Sequence, residues 1–101
     1  MKAVRYLVLI HLAAKTTRSD LADVAIRIKH SIEANLRNSE PVCTSLTSLA
    51  FVGEATVSSE RLFGFLADTL SSGDNLSVFT LEGSIATSHA GLNGWCRRMN
   101  F

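Results

Sequence analysis

The order of its apolar segments constrains this chain more than any single motif does. Residues 4–12 form an apolar, β-type run, and residues 19–36 carry apolar side chains at helical spacing. A second β-rich stretch covers 42–55, a second helical pattern covers 59–70, and a last strand pattern covers 76–82. This alternation predicts a split βαβ arrangement in one domain over residues 1–101. A chain of this length buries a core without disulfide or metal staples.

The first run is apolar on both parities. Val4, Tyr6, Val8, Ile10 and Leu12 form one face, and Leu7 and Leu9 stand between Arg5 and His11 on the other. That pattern marks a central strand covered on both sides. Leu21, Val24, Ala25, Ile28, Ile32 and Leu36 make the core stripe of the first helix, with Thr17-x-x-Asp20 or Ser19 as its start. Asp23 with Arg27 and Glu33 with Arg37 are i,i+4 pairs, so this helix face neutralises itself.

Asn38-Ser39-Glu40-Pro41 is expected to end that helix, because the residue before proline is pushed out of the α region. The next stretch changes face near Thr47-Ser48, through a bulge or through a turn between two short strands. Ser58 is an N-cap, and Leu62, Phe63, Leu66 and Leu70 form the stripe of the second helix. Ser72-Gly73-Asp74-Asn75 reads as its stop and turn. Beyond Gly83 a loop precedes a short terminal strand or turn around residues 94–98.

These faces have a consequence for assembly. A split βαβ sheet carries its helices on one side, yet its strands are apolar on both. The second face therefore needs a cover, and self-association through that face or an edge strand is the expected one.

Composition narrows the function classes. The 47% hydrophobic and 19% charged content is that of a folded domain. A formal charge of +1 gives no long-range pull toward nucleic acid or anionic membrane. The start, Met1-Lys2-Ala3-Val4-Arg5 before an apolar run, imitates a secretory signal, but its β-branched character and His11 favour a strand. No run approaches the ~20 apolar residues of a membrane span, so a cytoplasmic location without membrane partners is expected. Cys43 and Cys96 belong to no metal-type motif and read as reduced, buried thiols.

No catalytic constellation is visible. His11, at the end of the first strand, is the one weak catalytic candidate, and His30 and His89 read as structural or solvated. No metal site and no cofactor are expected from the spacing of His, Cys and carboxylates, and no glycine-rich phosphate loop follows a strand. For nucleic acid, Tyr6 and Phe51 read as core aromatics. The better candidates are Lys2, Arg5, Arg97 and Arg98, which form a backbone-binding patch if the two ends of the chain meet.

Several strings resemble one family. Asp74-Asn75-Leu76-Ser77-Val78-Phe79-Thr80-Leu81-Glu82-Gly83 resembles the fourth-strand region of small SinR-like proteins, which look related to virulence-associated protein D toxins and to the small ferredoxin-fold subunit of CRISPR adaptation complexes. Ser48-Leu49-Ala50-Phe51-Val52-Gly53 is similar to the strand before their second helix, and Gly94-Trp95 to their terminal Gly-Trp. The resemblance spans roughly residues 4–98. It implies an α+β, ferredoxin-like βαββαβ sandwich that dimerises, with a short additional C-terminal strand able to cross to its partner. Nuclease-type members carry a metal-binding aspartate at the end of the first strand. Here that neighbourhood reads Ile10-His11-Leu12-Ala13-Ala14, with no carboxylate before Asp20.

The expectation is therefore a non-catalytic, homodimeric binding or scaffolding module in a nucleic-acid-associated system, CRISPR adaptation-like or toxin–antitoxin-like. The alternatives are a toxin-like endoribonuclease and a small-ligand-binding regulatory module.

Overall fold

A computed structural model describes residues 2–13, 18–45, 47–82, 88 and 90–99. Thr17 as a helix cap, Leu46, His89 and residues 83–87 lie outside the described residues. The elements run β1 (Val4–His11), α1 (Arg18–Asn35), β2 (Arg37–Thr44), β3 (Ser48–Ala55), α2 (Ser59–Ala67), β4 (Asn75–Leu81) and α3 (Ala90–Arg98). The strands form one antiparallel sheet in the order β2-β3-β1-β4. This is the ferredoxin-like βαββαβ arrangement, an α+β fold, with one element added at its end.

The main core lies between the sheet and helices α1 and α2. Tyr6, Val8, Ile10 and Leu12 of the β1 region face Leu21, Val24, Ile28 and Ile32 of α1 and Leu62 and Leu66 of α2. Leu49, Phe51 and Ala55 of β3 complete it. β1 and β3 are the inner strands, so each turns apolar side chains to both faces of the sheet, and the second face is covered only in part. The face switch near Thr47-Ser48 is the turn of the β2–β3 hairpin, closed by Ser45 N–H on the Ser48 carbonyl at 2.9 Å.

Several expectations are corrected. First, β2 begins at Arg37, so Asn38-Ser39-Glu40-Pro41 is strand and not a connecting loop. Pro41 is tolerated because β2 is an edge strand, and Asn38 takes a left-handed φ of 54° at its start. Second, Phe63 is 44% exposed, so the buried stripe of α2 rests on Leu62 and Leu66. Third, residues 90–98 are a helix, not a C-terminal strand crossing to a partner. Leu92, Trp95, Cys96 and Met99 are spaced i, i+3, i+4, i+7 and pack on Val52 of the second sheet face. Cys96 is buried as expected, whereas Cys43 is exposed, and both are free thiols.

Local rules place the connections. Ser58 caps α2 by accepting from the Arg61 N–H at 3.3 Å. Gly73 takes a φ of 92° in the turn after α2, and the Asp74 carboxylate ties that turn down, accepting from Ser71 N–H and Ala13 N–H. The buried Tyr6 hydroxyl donates to the Val57 carbonyl at 2.6 Å, joining β1 to the start of α2.

Two stability predictions follow from these placements. Burial, and secondarily Glu60, push the Tyr6 phenol above its usual value of 10.0. The folded state then holds a proton that the unfolded chain releases, so this stabilisation is full below pH 10 and is lost as pH rises above it. Tyr6→Phe should lower stability by about 1 kcal/mol at neutral pH, and this difference should shrink above pH 10 in chemical denaturation. Gly64 has nothing near an added Cβ, so Gly64→Ala should raise stability by about 1 kcal/mol in the same assay.

Candidate functional site

The second sheet face is where the candidate residues collect, and α3 divides it. Inner strands pair Arg5 with Glu54, Leu7 with Val52, Leu9 with Ala50 and His11 with Ser48, and each pair shares this face. β4 adds Leu81, Phe79, Ser77 and Asn75 beside the same four β1 residues. Trp95 of α3, 1% exposed, covers the half around Val52, with Leu7, Val42 and Leu81 packed beside it. Its indole N–H donates to the Asn38 carbonyl at 3.1 Å, which fixes α3 against β2.

The covered half ends in a basic corner. Arg5 reaches from β1 to donate to the Met99 carbonyl at 2.9 Å, closing the C-terminal end of α3. The same guanidinium lies 3.6 Å from the Glu54 carboxylate, which also accepts from the Asn38 side-chain amide at 2.9 Å. Arg98 pairs with Glu40 of β2. Arg97 and Arg98 stand in the last turn of α3, where they complement the negative end of its macrodipole. Arg37, exposed on β2, is the register partner of Glu54. Lys2 is exposed just ahead of β1.

Of the residues expected to form a basic patch, Arg5 and Arg98 are therefore brought to one corner with Arg97 beside them. They meet through a helix and not through a terminal strand. Arg37, by contrast, reads from sequence as a helical partner of Glu33, and only its position on β2 moves it here. Lys29 takes up the Glu33 carboxylate instead, at 4.0 Å. An alternation-based reading of 37–44 could have found Arg37, but Pro41 and two register irregularities interrupt that alternation.

The uncovered half is a shallow apolar groove of about 380 Å³. Leu9 and Ala50 form its floor, and His11, Ser48, Asn75 and Cys43 stand around it. His11 is exposed, and its Nδ1 lies 3.1 Å from the Ser48 hydroxyl. Among the described residues no group of three or more His, Cys, Asp or Glu side chains is placed to hold a metal ion. No described helix is long and apolar enough to cross a membrane.

No protein-family model and no curated protein matches the chain. Solved structures match its fold. A protein of unknown function from Nitrosomonas europaea, NE2512, superposes with a TM-score of 0.50 at 13% identity, over 85% of this chain and 96% of that one. An unknown protein from Galdieria sulphuraria superposes with a TM-score of 0.51 at 11% identity, over 84% of this chain. The match covers 48% of that second protein, so the chain spans about half its length. SnoaB, a cofactor-independent oxygenase from Streptomyces nogalater, aligns more loosely, with a TM-score of 0.45 at 13% identity over 84% of this chain and 98% of that one. At these identities the likeness is one of fold.

Removing the indole should uncover the rest of the face. Trp95→Ala is expected to cost about 3–5 kcal/mol in thermal or chemical denaturation, and to raise binding of an apolar dye in the folded state. Arg98→Ala, which breaks an exposed ion pair, should stay within about 1 kcal/mol.

Proposed function

We propose that the chain is a small, non-catalytic, homodimeric module that binds nucleic-acid backbone at the corner where α3 ends. The observation that carries this reading is the charge left over there. Arg5, Arg37, Arg97 and Arg98 gather at one end of the sheet, and Glu54 and Glu40 are already engaged with Arg5 and Arg98. Arg37 and Arg97, with the exposed Lys2, supply cations for phosphate contacts, while Arg5 and Arg98 hold the corner together. Phosphate contacts of this kind position a partner without reading its sequence. With a whole-chain charge of +1, attraction is short-ranged and affinity modest. The resemblance of residues 48–53 and 74–83 to SinR-like proteins supports a nucleic-acid-associated setting, CRISPR adaptation-like or toxin–antitoxin-like.

A second reading, a toxin-like endoribonuclease, is favoured by one contact. His11 stands within hydrogen-bonding distance of Ser48 beside the open groove, where it could accept a proton from an attacking hydroxyl.

Binding of labelled single-stranded RNA and duplex DNA across a salt series separates the two. The binding reading predicts intact nucleic acid, retained at low salt with a log–log slope of roughly −2 to −3 for three phosphate contacts. Arg97→Ala should flatten that slope by about 1. Retention unchanged by Lys2→Ala, Arg37→Ala and Arg97→Ala together would contradict it. Cleavage of RNA that disappears with His11→Ala would establish the second reading in its place.

A further inference from the structure

The two edges of the sheet are built in opposite ways. β2 carries the devices that stop strand-to-strand pairing. Pro41 removes a donor, and the register shifts between Arg37 and Glu40 and again between Pro41 and Cys43. Charged Arg37 and Glu40 stand on β2, and α3 is fastened to it through Asn38 and Glu40. β4 carries none of these. Asn75–Leu81 reads NLSVFTL, with no charge, proline or glycine. Its register with β1 runs unbroken from Arg5–Leu81 to His11–Asn75. No strand pairs with its outer side among the described residues.

The apolar groove that α3 leaves open reaches this edge at Ser77 and Asn75. Phe79 is 48% exposed and Leu9 is 41% exposed, and both point to the second sheet face. An uncharged, regular edge strand beside an exposed phenylalanine is a template for another strand.

We propose that β4 is the self-association edge of this protein, pairing antiparallel with β4 of a second copy so that two four-stranded sheets become one. The proposal rests on the homodimer reading above and names its interface. A two-fold axis normal to the sheet makes the contact self-complementary and keeps like faces together. Residues opposite one another then share a face, so the axis passes through a residue position and not between two.

Charge disfavours the central register, and side-chain pairing selects among the others. An axis at Val78 sets Asp74 opposite Glu82 of the second copy, a like-charge pair. An axis at Phe79 separates those carboxylates. It pairs Val78 with Thr80 and Ser77 with Leu81, and it brings the two Phe79 rings together. Aromatic cross-strand pairs are among the more stabilising ones, and this one extends the Leu9 patch across the axis. The interface therefore runs through Phe79.

Light scattering and disulfide trapping test this together. The wild-type chain should be a dimer at micromolar concentration, and Phe79→Lys, which sets two cations on the axis, should raise its dissociation constant at least tenfold. In a Cys43→Ser background, Phe79→Cys should trap a covalent dimer rapidly. Ser77→Cys should not, because this register separates the two copies of residue 77 by about 13 Å along the strands, beyond disulfide reach. A dimer indifferent to Phe79→Lys, or trapping at residue 77 as fast as at 79, would overturn the interface while leaving the dimer standing. A monomeric wild-type chain would overturn both. Nucleic-acid retention by the Phe79→Lys variant reads the basic corner separately from either outcome.

Discussion

The docking of Trp95 against Val52 is the contact on which the second face of this protein depends. A nine-residue helix containing Gly91 and Gly94 does not hold its shape alone in water. Burying the indole contributes roughly 5 kcal/mol at ordinary apolar transfer values, and the N–H bond to Asn38 fixes where the helix lies. Arg5 and Arg98 then secure its end to β1 and β2. Without that docking, Leu7, Val42 and Leu81 would stand in water, and the arginines at the corner would have no common anchor.

The same contact divides labour across the sheet. At the covered end, the polar groups that hold α3 are also the ones that gather positive charge. At the open end, the sheet keeps an apolar floor, and the uncapped β4 edge runs past both ends, from Leu81 beside Arg5 to Asn75 beside His11. One helix thereby covers one half of this face and leaves the other half open.

Most of the fold is legible in the sequence, because the principal core depends on period. The alternation of β1 and the stripes led by Leu21 and Leu62 survive any reasonable reading. What escapes is structure set by tertiary contact. Arg37 to Pro41 becomes strand because β3 offers a pairing edge, although proline and a left-handed Asn38 argue locally for a break. The terminal helix escapes because its two glycines speak for loop, while Leu92, Trp95, Cys96 and Met99 carry the helical spacing. The need for a cover on the second face is readable from Leu7 and Val52. The sequence pattern points to a second copy as that cover, whereas part of it comes from α3 of the same chain. Of the site, Arg5, Arg97 and Arg98 are readable as a patch, whereas Arg37, Ser48 and Asn75 join only through strand register.

The chain contains one tryptophan, so its emission, excited at the red edge where Tyr6 does not absorb, reports on this docking. Emission and acrylamide quenching, followed through a denaturant titration, are the most direct measurement. If α3 covers the sheet as described, the native protein emits in the blue, resists the quencher, and shifts to the red only in the global unfolding transition. Red-shifted, freely quenched emission from the folded protein would contradict it.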